Sequence, residues 1–345
     1  MGTLEHPYQH NISPTLSIII VNSDTLELTL NCLNSIYRHH PHEPFEIILV
    51  DNFSEISPHQ SVKELFPHVV LLSSDQKQGF AKNYNLGIQK SMGEYILVLN
   101  NDTWIHPGAL NALLEGLRQD PAYGMAGAKL LSSNGNVQSV CARKFITPLR
   151  YVLIQFLLDL GLPSGKLIDK ISQWKLNRKS SGPIQCISGA CMLVKRSALE
   201  ETGLLDEGYD FYYEDIEWCH RFWNYGFQVA YISEAVITHY GDSSLSKVKV
   251  WAKKSEYLSA LRYFITYHRL TRIGAWMIWA ATVLSYHMRW VVFSVLEIFS
   301  SQQGHKQSYQ ELASWIKTQS PTRLRMFSQD VIPTGKRIEK KSRTT

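Results

Sequence analysis

Residues 95–102 read YILVLNND, an apolar run that ends abruptly in two amides and a carboxylate. A continuous apolar run of this length predicts a strand that is buried on both faces, as in a parallel sheet. The polar residues that follow then lie at the carboxyl end of the strand, which is where open α/β sheets bind ligands. This stretch therefore predicts a fold class and also the edge of the sheet that carries the functional site.

The same pattern occurs earlier in the chain. Residues 16–21 (LSIIIV) and 45–50 (FEIILV) are apolar runs, and the second ends on Asp51-Asn52. Residues 25–37, which lie between these runs, have the apolar spacing of a helix. Short strands alternating with short helices predict an α/β fold, with a mostly parallel sheet flanked by helices. We expect further strands at 69–72, 123–131, 184–195 and 228–237, and further helices at 80–89, 107–117 and 213–225.

Two stretches in the middle of the chain carry additional predictions. Residues 145–182 mix apolar helical segments with several Lys and Arg, which indicates an insertion or a mobile loop beside the site. Ser197, with Glu200 three residues later, predicts a capping box at the start of a helix.

Charge is distributed unevenly along the chain. Residues 247–345 contain 17 Lys and Arg against 5 Asp and Glu, whereas residues 1–246 contain 18 basic and 25 acidic residues. We therefore predict an α/β domain at 1–246 and a separate basic region at 247–345, which meet partners of different character. The acidic domain suits a metal ion, and the basic region suits an anionic surface.

The basic region also contains an aromatic-rich stretch with helical periodicity at 258–299, which Tyr286–Arg289 interrupts. A membrane-spanning helix needs about 20 continuous apolar residues. We therefore predict amphipathic helices that lie in the membrane interface, and a polar, basic tail after them. The alternative is an ordinary helical hairpin packed on the first domain. Nucleic-acid binding is disfavoured, because the basic residues lie in an apolar helical region rather than on an aromatic-laced sheet.

The cysteines and the N-terminus predict a cytoplasmic location. The five cysteines form no CxxC pair, which favours a reducing compartment and a role as small buried apolar residues. The first 15 residues have no apolar core of the signal-peptide type.

Two acidic clusters are candidates for chemistry. Asp102, at the end of the strand described first, can hold a hard divalent cation that bridges diphosphate oxygens, or it can simply form a turn before the next helix. Glu214 and Asp215 open a predicted helix. Asp215 can act there as a general base that takes the proton from the hydroxyl of an acceptor molecule, and Glu214 can contact that acceptor. Helix capping is the alternative for both residues. Glu217 is a third acid of this helix, and Arg221 pairs either with one of the three acids or with phosphate.

Two further segments have weaker signals. His239 follows the last predicted strand, and a histidine there is either a metal ligand or an ordinary polar residue. Gly79 opens the segment GFAKNYNLGI at 79–88, where the helix N-terminus can present amides to an anion. Lys82 can reach a phosphate from this helix, although an exposed helical lysine is the simpler interpretation.

Seven segments together resemble glycosyltransferase family 2, a family of GT-A fold, and its bacterial rhamnosyltransferase-like branch in particular. The matching segments are LSIIIVN at 16–22, EIILVDNFS at 46–54, GFAKNYNLGI at 79–88, ILVLNND at 96–102, SGACMLVKR at 188–196, FYYEDIEWCHR at 211–221 and THYGDSS at 238–244. The resemblance implies a nucleotide-diphosphate sugar donor, inversion at the anomeric carbon, and Mg²⁺ or Mn²⁺ as cofactor. It implies that Asp102 and His239 hold the metal and that Asp215 is the base, with Glu214 beside it. The implied donor-binding residues are Asn22, Asp51, Asn52, Gly79, Lys82, Asn85, Asn101 and Asp102.

The sequence departs from the family pattern at two places. Asn100 stands where the DXD-type motif has its first carboxylate, which weakens the expected metal affinity. The first loop reads Asn22-Ser23-Asp24, where relatives often have a tyrosine that contacts the donor base.

The resemblance implies transfer of a sugar to a hydroxyl of a glycan acceptor in the synthesis of a cell-surface polysaccharide such as O-antigen. The best single donor is dTDP-rhamnose, followed by UDP-sugars. The implied acceptor is linked to polyprenyl diphosphate, at the inner face of the plasma membrane. One alternative is a sugar nucleotidyltransferase of similar fold, but the Gly-rich loop that this class has after its first strand is missing at 21–24. A non-catalytic, membrane-associated binding protein is the other.

Overall fold

The structure is a computed structural model, and it describes residues 13–159, 179–241, 250–299 and 305–321. The strands are β1 Leu16–Asn22, β2 Phe45–Asp51, β3 Val70–Ser73, β4 Tyr95–Asn100, β5 Thr103–Ile105, β6 Tyr123–Leu131, β7 Gly182–Ile184, β8 Cys191–Lys195 and β9 Gln228–His239. The α-helices are α1 Leu26–Arg38, α2 His59–Leu65, α3 Phe80–Lys90, α4 Ala109–Arg118, α5 Pro148–Asp159, α6 Arg196–Thr202, α7 Glu214–Asn224, α8 Val250–His268, α9 Arg272–Phe299 and α10 His305–Thr318.

The strands form one sheet in the order β3-β2-β1-β4-β8-β6-β9-β5, and β7 pairs with β9. Strands β3, β2, β1 and β4 are parallel to one another, and β6 is parallel to β9. Strand β8 lies antiparallel between β4 and β6, and β5 and β7 are both antiparallel to β9. The sheet is therefore mixed: β1 to β4, β6 and β9 run in one direction, as expected of a mostly parallel sheet, and β5, β7 and β8 run in the other.

Helices cover both faces of the sheet because successive side chains of each strand point to opposite faces. On β1, Ile19 packs with α3, α6 and α7, whereas Ile18 and Ile20 pack with α1, α2 and α4. All three isoleucines are fully buried. Burial on both faces explains why this strand is a continuous apolar run rather than an alternating one.

The sequence did not predict β5 and β7, which are three residues each and have no apolar run of their own. Within the predicted strand at 184–195, residues 185–190 form turns and a bridge, and only Cys191–Lys195 is a regular strand after them. The predicted capping box is wrong. Helix α6 begins at Arg196 after the extended residue Lys195, and no side chain caps it. Of the predicted insertion at 145–182, α5 is helical and residues 160–178 lie outside the described residues.

The C-terminal helices share one apolar core with the α/β domain. Tyr257 and Phe264 of α8, Tyr286 of α9 and Leu312 of α10 are buried in the same cluster as Ile19 of β1. The predicted boundary at residue 246 falls in 242–249, which the structure does not describe. The described C-terminal helices thus pack on the α/β domain, as in the alternative to membrane-interface helices given above.

Helix α9 runs without a break through the segment that was predicted to interrupt it. Tyr286 and Arg289 point inward, and the Arg289 guanidinium donates a hydrogen bond of 2.8 Å to the carbonyl of Gln155 on α5. The Arg289 guanidinium therefore links α9 to α5, and Tyr286 adds a buried ring to the core. Among the described residues, no helix is both long and apolar enough to cross a membrane.

Candidate active site

A cavity of about 890 Å³ opens beyond the carboxyl end of β4. Asp102 and His239 line one part of it, and Glu214 and Asp215 line another. The two acidic clusters are about 110 residues apart in sequence, and the sheet brings both to one edge. The two clusters that were predicted to act together therefore line the same cavity.

Pairing between β5 and β9 sets the position of the first cluster. Thr103 is opposite His239 in this antiparallel pair, so that Asp102 lies beside the imidazole with its Oδ1 3.3 Å from Nε2. The backbone N–H of Tyr240 donates to the carbonyl of Asp102 over 2.9 Å. A Cβ on Gly241 would lie 2.8 Å from Cε1 of His239, so this close approach requires glycine.

Gln138 orients the histidine, although no sequence pattern pointed to this residue. Its Oε1 lies 3.0 Å from Nδ1 of His239, and its Nε2 donates to the His239 carbonyl over 2.8 Å. An acceptor at Nδ1 favours the tautomer with its proton there, which leaves the Nε2 lone pair directed towards Asp102. Asn100 lies on the same side, with its Nδ2 3.3 Å from Nε2.

Asp102 and His239 fit a divalent cation as two of its ligands. The described residues contain no group of three or more His, Cys, Asp or Glu side chains placed to hold a metal, so substrate oxygens and water would supply the other ligands of a cation bound there. Asn100, at the first position of the motif, contacts His239 and accepts a hydrogen bond from the hydroxyl of Tyr84. Its amide thus helps to position the imidazole, where a carboxylate would have added charge.

The second cluster has a partner that the sequence did not predict. Oδ2 of Asp215 accepts hydrogen bonds from Nη2 of Arg143 over 2.5 Å and from the N–H of Gly189 over 3.0 Å. Oδ1 accepts the N–H of Ile216 over 2.8 Å. Arg143 itself is held by two backbone hydrogen bonds with Cys186. The candidate base is therefore ion-paired in this structure.

Glu214 is buried next to this ion pair. Burial, together with the charge of Asp215, raises the pKa of the Glu214 carboxyl to about 8. Its Oε2 is buried and has no hydrogen-bond partner within the described part of the chain. Helix α7 begins at Glu214, but no side chain caps it. At neutral pH a protonated Glu214 can donate a hydrogen bond, which a capping carboxylate cannot do.

Arg221 pairs with Glu217, which leaves no role for it as a phosphate ligand. Both side chains are buried, and Nη2 of Arg221 lies 2.6 Å from Oε2 of Glu217. Arg221 also donates to the carbonyls of Thr202 and Leu204, and the hydroxyl of Tyr267 donates to Glu217 over 2.6 Å. This buried pair joins α7 to α8 and to the segment after α6, so its role is structural.

Four residues predicted to bind the sugar donor form a hydrogen-bonded network at the ends of β1, β2 and β4. The Asn22 amide donates to Asp51 over 3.1 Å, and its oxygen accepts the hydroxyl of Thr29. Asn52 holds the backbone of Gln78 through both its amide groups. Asn101 donates to the hydroxyls of Thr25 and Thr29 over 2.6 and 2.8 Å. These four residues are near one another, and nucleotide binding by them stays a prediction.

The remaining predicted donor residues lie on and before α3, outside the cavity lining. A Cβ on Gly79 would lie 2.7 Å from the carbonyl oxygen of Asp210, so glycine allows a close backbone approach. The amide of Asn85 is buried and bonds to Leu205 and Glu207. Lys82 is exposed on α3. The contacts of Gly79 and Asn85 in the structure are thus internal, and phosphate binding by this segment stays a prediction.

Comparison with known proteins gives the family. The family described as "Glycosyl transferase family 2" matches residues 17–203, which is more than half of the chain. An N-acetylglucosaminyl-diphospho-decaprenol L-rhamnosyltransferase of Mycobacterium tuberculosis is 27% identical over 209 residues, 57% of this chain and 67% of the relative. A low-salt glycan biosynthesis hexosyltransferase of Haloferax volcanii is 28% identical over 217 residues, 62% of this chain and 63% of the relative.

Among solved structures, a mannosyltransferase from Pyrobaculum calidifontis in complex with GDP-Man and Mn²⁺ aligns with a TM-score of 0.49 and 13% identity, over 92% of this chain and 89% of that one. This likeness is too distant to carry an argument about the present site. The family match covers β1 to β8 apart from Leu16, together with the Asp102 motif, whereas β9, Asp215 and His239 lie beyond its last residue. The chain belongs to glycosyltransferase family 2, and it is a glycosyltransferase.

Proposed function

We propose that this enzyme transfers a sugar from a nucleotide-diphosphate donor to a hydroxyl of a lipid-linked glycan, with inversion at the anomeric carbon. The observation that carries the proposal is the shared cavity, in which Asp102 and His239 face the same space as Asp215 and Glu214. A donor with its diphosphate at the first cluster and an acceptor hydroxyl at the second would have its reacting carbon between them.

The side chains divide the reaction into two tasks. Asp102 and His239 would hold a divalent cation, which neutralises charge on the leaving diphosphate. Asp215 accepts the proton of the acceptor hydroxyl as its oxygen forms a bond to the anomeric carbon and the bond to the diphosphate breaks. Attack from the face opposite the leaving group inverts the carbon. Protonated Glu214 donates a hydrogen bond to an acceptor oxygen and so orients it.

The proposed donor is dTDP-rhamnose, and the proposed acceptor is a glycan linked to polyprenyl diphosphate. The name of the Mycobacterium tuberculosis relative supports both choices, because it specifies a rhamnosyl group and a diphospho-decaprenol acceptor. The name of the Haloferax volcanii relative specifies a hexosyl group instead. A test of function therefore includes hexose donors beside dTDP-rhamnose.

The test is a transfer assay with the full chain and Mn²⁺. Radiolabelled dTDP-rhamnose, UDP-hexoses and GDP-mannose are each incubated with a short-chain prenyl-diphosphate-linked N-acetylglucosamine. We expect labelled lipid from one donor, inverted anomeric configuration by NMR, and loss of product with EDTA. Failure of every donor to label the lipid would reject this acceptor class, and a retained configuration would reject single displacement.

We also propose that the enzyme binds the cytoplasmic face of the plasma membrane through α9. Large apolar side chains recur at helical spacing on its outer face, and all of them are exposed. They are Ile273, Met277, Leu284, Val291 and Val295. Region 247–345 carries 17 basic and 5 acidic residues, which complements the anionic lipids of that leaflet.

Vesicle flotation tests the membrane proposal. Substituting both Met277→Glu and Leu284→Glu places two carboxylates on the outer face of α9, and we expect this variant to lose binding to phosphatidylglycerol vesicles. The control is Met92→Glu, which alters an exposed methionine at the end of α3. Equal flotation of the wild type and the α9 variant would contradict the proposal.

A further inference from the structure

The cavity wall beyond Asp215 is basic. Arg143, Lys144, Arg150 and Lys253 all line it. Lys253 lies 2.6 Å from Glu256, and Arg143 is paired with Asp215. Lys144 and Arg150 form no ion pair with any side chain in the described part of the chain. Glu214 is protonated at neutral pH, so these four cations exceed the ionised carboxylates Asp215 and Glu256 by two, whereas another part of the cavity contains Asp102.

Uncompensated cations that share one cavity repel each other, and an anion that binds between them relieves the repulsion. Guanidinium groups suit phosphate, because their N–H groups match two phosphate oxygens at once. Apolar side chains line the same cavity, among them Val140, Ile154 and Trp251. Trp251 and Val140 are also exposed. A prenyl diphosphate has phosphate groups attached to a hydrocarbon chain, so it matches a cavity lined by both cations and apolar side chains.

Arg143 connects this wall to the candidate base. Oδ2 of Asp215 already accepts hydrogen bonds from Arg143 and Gly189, which fills its ordinary capacity of two. Oδ1 accepts only the N–H of Ile216, whereas an acceptor hydroxyl that approaches Oδ2 has to displace one of its two donors. Arg143 is a side chain and can rotate, whereas the backbone N–H of Gly189 is fixed. The Nε of Arg143 is buried without a partner in the described structure, so it is one more donor for an anion.

Resting on the proposed function, we propose that Lys144, Arg150 and Arg143 bind the phosphate groups of the acceptor, and that Arg143 leaves Asp215 to do so. Acceptor binding then exposes the oxygen that receives the hydroxyl proton. The anomeric carbon loses its bond to the donor diphosphate and gains one to the acceptor oxygen, and the proton moves to Asp215. Without acceptor, the ion pair keeps water from using the same base, which protects the donor from hydrolysis.

Binding of farnesyl diphosphate to the full chain tests the subsite directly. Calorimetry compares the wild type with Lys144→Gln, Arg150→Gln and the control Lys63→Gln, which removes an exposed charge on α2. We expect Kd to rise about tenfold for each of the first two variants, as for loss of one charged hydrogen bond, and to stay unchanged for the control. Unchanged binding in both cavity variants would overturn the proposal.

The donor also carries a diphosphate, so its binding has to be measured separately. We expect the Kd for dTDP and UDP with Mn²⁺ to be the same in wild type, Lys144→Gln and Arg150→Gln. If these variants weaken nucleoside diphosphate binding and leave farnesyl diphosphate binding intact, the basic wall serves the donor and the proposal is wrong. This arm does not depend on sugar transfer.

Hydrolysis of the donor in the absence of acceptor tests the role of Arg143. Replacement by Gln frees Asp215, so we expect hydrolysis to rise about tenfold, which is less than the 100- to 10,000-fold of a positioned base because no acceptor holds the water in place. The KM for the prenyl-diphosphate acceptor rises in the same variant. A parallel fall in hydrolysis and transfer would indicate a merely structural arginine. A wild type that neither hydrolyses nor transfers any sugar rejects the proposed function, while the farnesyl diphosphate measurements still decide the subsite.

Discussion

The two ends of the cavity hold their acids in opposite ways. Asp102 faces the imidazole of His239, and the described residues offer no third ligand beside them. Asp215, in contrast, accepts three hydrogen bonds from protein groups, one of them from Arg143. In the proposed reaction, substrate oxygens complete the first end, whereas acceptor binding frees Asp215 at the second.

Asp215→Asn should have the largest effect, because an amide cannot accept the proton of the acceptor hydroxyl. We expect kcat for transfer to fall about 1,000-fold, within the range of a positioned general base, with little change in donor KM. Asp75→Asn, at an exposed position after β3, is the matched control. Transfer by Asp215→Asn at the wild-type rate would assign the base to another residue.

Asp102→Asn tests whether the part of the cavity that contains His239 needs the negative charge of Asp102. We expect a fall of about 100-fold in kcat/KM, since one of two ligands for the cation loses its charge. The concentration of Mn²⁺ that gives half-maximal activity should rise in the same assay. Activity that is lost while the Mn²⁺ dependence is unchanged would show that Asp102 acts on something other than the metal.

Gln138→Leu examines the orientation of His239 with a smaller change. Loss of the partner of Nδ1 should raise the half-maximal Mn²⁺ concentration about tenfold, the lower end for groups that orient metal ligands. Saturating Mn²⁺ should then restore most of kcat. A loss of kcat that Mn²⁺ does not restore would place Gln138 in contact with substrate instead.

Glu214→Gln should have the smallest effect of the four substitutions. It changes the thermal stability of the protein, by an amount that depends on pH. The pKa of Glu214 is raised from 4.5 to about 8 by burial and by Asp215, so the native state binds more protons than the unfolded chain between these values. Stability contributed by the protonated group is therefore lost as pH rises through this window. Gln cannot ionise, so Tm of the variant relative to the wild type should rise from pH 5 to pH 8.5, by about 2 °C or more. A difference that is constant with pH would contradict the burial of this carboxyl.

Much of the fold and part of the site followed from local sequence. The runs at 16–21, 45–50 and 95–99 predicted strands β1, β2 and β4 because burial on both faces demands apolar residues at every position. Placing Asp102 at a strand end then followed from topology. Strand β8 was harder to define, because its direction depends on residues 185–190, where turns and not apolar spacing set the path of the chain.

The partners of the site residues could not be predicted in this way. Gln138 lies about 100 residues from His239, and Arg143 is 72 residues from Asp215. Neither residue belongs to a recognisable local pattern, since a glutamine or arginine in a loop is ordinarily solvated. For Arg221 the sequence left two partners open, and burial beside Glu217 decided between them.

By itself, the sequence determined the alternation of strands and helices, the family resemblance, and the order of the Asp102, Asp215 and His239 clusters along the chain. These features are local, because hydrophobic spacing and strand ends act over a few residues. The tertiary structure alone decided that Arg143 holds Asp215 and that Lys144 and Arg150 face the same cavity. It also packed Tyr286 and Arg289 inward on an unbroken α9. Such pairings depend on which distant segments the folded core brings together, because hydrogen bonds and ion pairs form only between groups that are in close contact.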